Sequence, residues 1–150
     1  MSDYARQVQN RKPHVTLASY EIVDSQSEFI ESLKQFCEQR SQFTVTLSSV
    51  GSFLQSGTVF FSPVLSGELQ KLHAELYQQF KAWKTDNLYS PGKWIPHLTL
   101  ANYLSVEKLP HAFALCQQYP TLSGQARGMQ LIEIDKNKQV SVLYQGEFQK

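Results

Sequence analysis

The sequence predicts a single α+β domain (residues 1–150) of two pseudo-symmetric lobes, each an antiparallel sheet backed by helices, with a central groove between them. Three observations predict it. The chain has 150 residues, the size of one domain, and at that length it buries on the order of two-thirds of its unfolded surface. Short alternating patterns take turns with amphipathic helical ones along its length. The order strand, helix, strand, strand occurs twice, from His14 to Ser62 and from His97 to Phe148, with one helix between.

Residues 14–19 (HVTLAS) alternate and are rich in β-formers, which predicts a strand. Ser25 and Glu28 have capping-box spacing and open a helix to about Arg40, with Phe29, Ile30, Leu33, Phe36 and Cys37 on one face. FTVTL (43–47) and GTVFFS (57–62) read as strands, and Gly51 to Gly57 as irregular backbone between them. Ser66 caps a second helix to about Lys81, with Leu69, Leu72, Leu76 and Phe80 as its buried stripe. A turn-rich loop, TDNLYSPGKW, leads into a strand at 97–103 (HLTLANY). Ser105 starts a third helix to about Gln118, with Leu109, Phe113 and Cys116 inward and Pro110 late enough to kink it. Strands near 128–134 and at 140–148 flank a hairpin turn, Asp135-Lys-Asn-Lys.

A shift of 83 residues, the distance from His14 to His97, lays Thr58–Phe61 on Ser141–Tyr144 and Tyr20 on Tyr103. The strands at 43–47 and 128–134 align less well, so the repeat is of architecture more than of sequence. The lobes are then about 14–62 and 97–148, linked by the helix at 66–81.

Composition narrows the function classes. Charged residues are 18% of the chain, against about 25% in an ordinary domain, and 17 glutamines carry much of the polarity. A net charge of +1 excludes a strongly basic DNA binder but not an enzyme that grips one phosphate locally. Cys37 and Cys116 are far apart with no Cys-x-x-Cys spacing, which excludes a disulfide framework or a zinc finger. Both fall at apolar helical phases and read as reduced core thiols. No apolar run approaches the ~18 residues of a membrane span, and the N-terminus has no signal-peptide pattern, so the expectation is a cytoplasmic protein without membrane partners.

The two halves open with the same words: Pro13-His14-Val15-Thr16-Leu17-Ala18 and Pro96-His97-Leu98-Thr99-Leu100-Ala101. This composition produces His-x-Thr-Leu by chance in about one chain in fifty, so two copies are not noise. In a strand, residues i and i+2 share a face, which puts an imidazole and a hydroxyl about 7 Å apart on one surface. A twofold arrangement opposes two such pairs across a groove. An unperturbed histidine titrates at about 6.5, so near neutral pH one imidazole can serve as general base and the other as general acid. Threonine hydroxyls donate as well as accept and suit the non-bridging oxygens of a phosphate. Two histidines without a third ligand at fitting spacing fall short of a zinc site.

Paired His-x-Thr motifs opening two pseudo-symmetric halves resemble the two-histidine (2H) phosphoesterase superfamily. YSPGKWIPHLTLANYLS (89–105) is similar to the second motif of its bacterial 2′-5′ RNA ligase-like and RNA 2′,3′-cyclic phosphodiesterase group. The resemblance spans about residues 12–148. It implies a bilobal α+β fold, no cofactor or metal, and action on 2′,3′-cyclic or 2′,5′ phosphodiesters of nucleotides or RNA ends. It further implies that His14 protonates the leaving oxygen, His97 activates water, and Thr16 and Thr99 bind the phosphate. Ligation in the reverse sense, and a module that binds nucleotide or RNA phosphates without turnover, are the alternatives. Such relatives carry a strand and helix before the first motif, whereas 13 residues precede His14 and MSDYARQVQNRK has no strand pattern. That predicts an unpaired sheet edge, a more open groove, and either a monomer or a homodimer through that edge.

Other residues are placed around this frame. In the loop before the second motif, Tyr89 and Trp94 could stack on a base and Lys93 could meet a phosphate; the alternative is that Trp94 packs beneath the loop. Arg11 and Lys12 could add positive potential, or form a solvated basic pair. Tyr20 and Tyr103 end equivalent strands, where their rings pack between strand and helix or their phenols reach the groove; Tyr144 is open in the same way. His73 reads as a boundary residue beside an apolar stripe, and His111 as a residue of the third helix's first turns; neither is assigned a role.

Overall fold

Phe29, Leu33, Phe36 and Cys37 recur at helical spacing, and helix α1 (Gln26–Glu38) buries these four residues. The computed structural model describes residues 12–21, 25–83, 86–119, 121–137 and 139–150. Ser25 precedes α1, but its hydroxyl makes no cap bond; its carbonyl accepts from Phe29 N at 3.1 Å, the ordinary first turn. The expected capping box is therefore not formed. At helix α2 (Gly67–Gln79) the expectation holds, with Ser66 Oγ accepting from Leu69 N at 3.3 Å.

The two helices pack together over one core. Phe29, Phe36 and Cys37 of α1 meet Leu72, Leu76 and the following Phe80, with Phe148 closing the cluster. Burying each of these side chains is worth about 1.5–3 kcal/mol. Beyond the end of α1, the Arg40 guanidinium lies 4.0 Å over the Phe36 ring and pairs with Glu75 of α2 at 2.9 Å.

A four-stranded antiparallel sheet comprises β1 (Phe43–Phe53), β2 (Thr58–Pro63), β3 (Leu98–Ala101) and β4 (Leu122–Ala126), in the order β3-β2-β1-β4. A hairpin of β5 (Gly128–Ile134) and β6 (Val140–Glu147) forms a second, two-stranded sheet. Its Met129, Leu131 and Tyr144 pack against the helical core. At its turn, the Asp135 carboxylate accepts from Asn137 N and Gln139 N, both at 2.8 Å. Central β2 reads TVFF and is buried throughout that run, as a strand covered on both faces must be.

Several expectations change. Strand β1 runs on through Gly51, which read as irregular backbone: a Cβ there would sit 2.6 Å from the Phe60 ring, so glycine makes the slot that ring fills. Strand β4, LSGQA, was not expected, since it is almost wholly exposed and pairs on one side only. Residues 12–21, including the expected strand at 14–19, join no ladder. Strand β3, after residue 97, pairs with β2, before residue 64, so the sheet is not built from the continuous lobes 14–62 and 97–148. The third helix is a 3-10 turn (Val106–Lys108) followed by α3 (Leu109–Cys116). This puts Pro110 in the first turn of α3, where its missing N–H costs nothing, and removes the expected kink. Among the described residues no helix is long and apolar enough to cross a membrane.

The two cysteines part ways. Cys37 is 1% exposed with its thiol pushed up to about 11 by burial, whereas Cys116 is only half-buried. Under native conditions an aromatic disulfide reagent should therefore titrate one thiol, Cys116, and in denaturant two. Cys116→Ser should abolish the native reaction; fast native labelling of Cys37 would contradict this packing.

Candidate active site

The first structural sign of a site is that the two motif histidines are held alike. His14 Nδ1 bonds the carbonyl of Lys12 at 2.9 Å, and His97 Nδ1 bonds the carbonyl of Ile95 at 2.8 Å. Each bond reaches two residues back, and the two acceptors are related by the same 83-residue shift as the histidines. A carbonyl can only accept, so each Nδ1 carries a proton and each Nε2 is the nitrogen left for exchange with a substrate. His14 is exposed and His97 half-buried.

Around His97 the sheet explains the geometry. Its ring meets Phe53 of β1 edge-on at 4.9 Å and Phe60 of β2 at 5.3 Å. Phe60 is the register partner of Thr99, and partners in an antiparallel pair share a face. His97 and Thr99 therefore stand on one face, as the i, i+2 spacing required. Around His14 no ladder does this work.

The loop before the second motif supplies it instead. Trp94 Nε1 donates to the Thr16 carbonyl at 2.9 Å, and Asn87 Nδ2 donates to the Ser19 carbonyl at 2.8 Å. The loop that leads into the second motif is thereby bonded at two points to the segment that carries the first. The Trp94 ring is stacked on His73, with centroids 3.9 Å apart and planes 6° from parallel. His73 in turn donates Nε2–H to the Tyr89 carbonyl at 2.8 Å.

The other expected binding residues are placed differently. Trp94 has one face on His73 and its N–H on Thr16, so it braces the loop rather than standing free as a stacking platform. Lys93 is bound to Asp86 at 2.7 Å, so a phosphate would have to displace that carboxylate. Tyr89 is half-buried, and burial pushes its phenol up. Tyr20 packs edge-on against Phe29 at 5.0 Å, its phenol pushed up to about 12 by burial. Its counterpart Tyr103 is 72% exposed at a φ of 58°, so the two halves diverge there and the expected packing of Tyr103 does not occur. Tyr144 faces the helical core from β6. Arg11 lies outside the described residues; Lys12 and His111 are exposed.

Sequence reasoning missed His73, Asn87, Phe53 and Phe60. His73 follows Leu69 by four residues and so shares the buried face of α2, a signal present in the spacing. Nothing in the sequence marked Asn87. Among the described residues no three His, Cys, Asp or Glu side chains gather into a metal-binding cluster.

At 6% exposure His73 is neutral by preference: burial lowers its pKa, and the bond to Tyr89 opposes this only in part. The unfolded chain therefore takes up this proton first, at about pH 6.5, and stability falls as pH drops below that value. Urea midpoints at pH 7.5 and 5.5 should differ more for the wild type than for His73→Phe. Equal differences would remove His73 from the pH dependence.

Comparison with known proteins bears on the family and the fold. A family model described as the 2′-5′ RNA ligase superfamily matches residues 1–138. No curated protein matches the chain in sequence. Among solved structures, E. coli LigT in apo form superposes with a TM-score of 0.60 at 20% identity, covering 93% of this chain and 77% of its own. A crystal structure of a phosphoesterase gives 0.60 at 20% identity, with 93% and 78% covered. E. coli LigT complexed with 3′-AMP gives 0.57 at 18% identity, again with 93% and 78% covered. These neighbours share the mixed α+β fold with its antiparallel sheets, and with the family model matching nearly the whole chain, the protein belongs to the 2′-5′ RNA ligase superfamily of two-histidine phosphoesterases.

Proposed function

We propose that this protein is a metal-independent phosphodiesterase that opens 2′,3′-cyclic, or cleaves 2′,5′, phosphodiesters of nucleotides or RNA ends. The observation that carries the reading is the matched presentation of His14 and His97, each with Nδ1 fixed on a backbone carbonyl and, among the described residues, no hydrogen bond at Nε2.

In the proposed reaction His97 Nε2 takes a proton from water as the water oxygen bonds to phosphorus. His14 Nε2 gives a proton to the 2′ or 3′ oxygen as its bond to phosphorus breaks. The Thr16 and Thr99 hydroxyls donate to the non-bridging oxygens, where charge accumulates. Each histidine ends in the other's starting state, and solvent resets the pair. The near-symmetry of the motifs does not orient these roles, which are assigned here after the family resemblance. A fold neighbour complexed with 3′-AMP supports the substrate class, since a nucleoside monophosphate is what ring opening leaves. The family's name also points to ligation, in which a 5′-hydroxyl takes the place of water. Its oxygen bonds to the phosphorus of a 2′,3′-cyclic end as the bond to the 3′ oxygen breaks and that oxygen takes the proton, which leaves a 2′,5′ linkage.

The test is turnover of the four nucleoside 2′,3′-cyclic phosphates and a 2′,5′-linked dinucleotide in EDTA, with products resolved as 2′- or 3′-phosphates. Turnover indifferent to EDTA and giving one isomer is expected. Activity lost in EDTA and restored by zinc would overturn the metal-free reading. No turnover, with nucleotide still bound in titration, would leave a binding module.

A further inference from the structure

The segment carrying the first motif has a support problem. Residues 12–21 join no ladder, although Thr16 and His14 must hold their places to within a fraction of an ångström if they serve one phosphate. The loop at 86–94 answers this. Two of its side chains reach across to consecutive parts of that segment, Trp94 to the Thr16 carbonyl and Asn87 to the Ser19 carbonyl. Trp94 lies three residues before His97, so a single side chain joins the backbone of one motif to the entry of the other.

That side chain is itself held. Its ring lies flat on the His73 imidazole, which projects from the buried face of α2 and grips the loop again at the Tyr89 carbonyl. The loop is cross-braced internally: Tyr89 N donates to Asn87 Oδ1 at 2.8 Å, and Asn87 N to Ser90 Oγ at 3.1 Å. Ser90 is buried. Helix α2, anchored in the main core, is thus coupled through His73 and Trp94 to the spacing of the two motifs.

We infer that Trp94, braced by His73, is a positioning residue that sets the separation of the two His-x-Thr motifs by holding the Thr16 carbonyl. The kinetic part of this inference rests on the proposed phosphodiesterase activity; the geometric part does not. Trp94→Phe keeps an aromatic ring against His73 and removes the N–H. The carbonyl it held is then free to drift, taking His14 and Thr16 with it, while His97 and Thr99 stay fixed by β2 and β3.

The experiment compares wild type and Trp94→Phe by two readouts: kcat and KM on a nucleoside 2′,3′-cyclic phosphate, and backbone and imidazole NMR signals with and without inorganic phosphate. The expected result is a kcat lower by on the order of 10-fold at little-changed KM, with signals of residues 14–18 displaced and those of 97–100 unmoved. Unchanged kcat with unmoved signals at 14–18 would overturn the inference, as would a loss confined to KM. Should the wild type not turn over, the proposed activity fails, and the NMR comparison alone still decides whether Trp94 holds the first motif. Should the variant not fold, hydrogen exchange of the wild-type Trp94 indole N–H decides. Slow exchange supports the bond to Thr16, and exchange at the rate of a free indole contradicts it.

Discussion

His14→Ala and His97→Ala should each lower kcat on a 2′,3′-cyclic nucleotide by about 10²–10⁴-fold, the range a positioned acid or base supplies. KM should move little, because the proposed mechanism gives the phosphate contacts to Thr16 and Thr99. Neither change threatens the fold by the same route. His14 is exposed and, among the described residues, its hydrogen bond is to backbone two residues away, so its loss should leave the melting temperature nearly untouched. His97 contacts Phe53 and Phe60, so His97→Gln serves as a bulkier control that still cannot exchange a proton at neutral pH. A variant that kept a tenth or more of wild-type kcat would remove that histidine from the chemical step.

Phe29→Ala should lower stability by about 3–5 kcal/mol. For a chain of this size that lowers the melting temperature by roughly 10 °C. Phe29 is 2% exposed and its ring meets three others, Phe80 at 4.6 Å, Tyr20 at 5.0 Å and Trp83 at 5.2 Å. Removing it opens a cavity where α1, the end of α2 and the tail of the first-motif segment meet. One consequence is specific to that site: Tyr20 loses part of the cover that holds its phenol at about 12. Its titration, followed by ultraviolet difference absorbance, should move down toward about 10, the value of a solvated tyrosine. A loss under about 1 kcal/mol, with the Tyr20 titration unmoved, would mean the four rings are not the packed unit described.

How much of this was legible in the sequence depends on how local each cause is. Helices α1 and α2 were legible because their apolar residues repeat at helical spacing and one capping serine does what its position suggests. The duplicated motif was legible because it repeats in plain letters, and the matched bonds at His14 and His97 follow its 83-residue shift. Gly51 was misread because a glycine in a strand marks either a break or a close approach, and only the partner strand shows that the Phe60 ring fills the space. Strand β4 carries no apolar signal, because edge pairing with β1 defines it rather than burial. Pairing of β3 with β2 is a long-range choice that periodicity does not encode. His14 was foreseen on a strand, where the i, i+2 rule would have aimed it; a neighbouring loop holds its segment instead, and no spacing rule reports that Trp94 and Asn87 reach it. Tyr103 shows the limit of the repeat, since it is exposed in a left-handed conformation where Tyr20 is packed.

The measurement that decides most is kcat/KM for His14→Ala, His97→Ala and the double variant on one 2′,3′-cyclic nucleotide. If the two imidazoles serve a single proton-transfer step as base and acid, losing the second after the first costs little more. The double variant should then lie within about tenfold of the worse single variant, as residues that act as a unit behave. Losses that multiply, with the double variant lower than wild type by the product of the two single effects, would show two independent roles and contradict the paired mechanism.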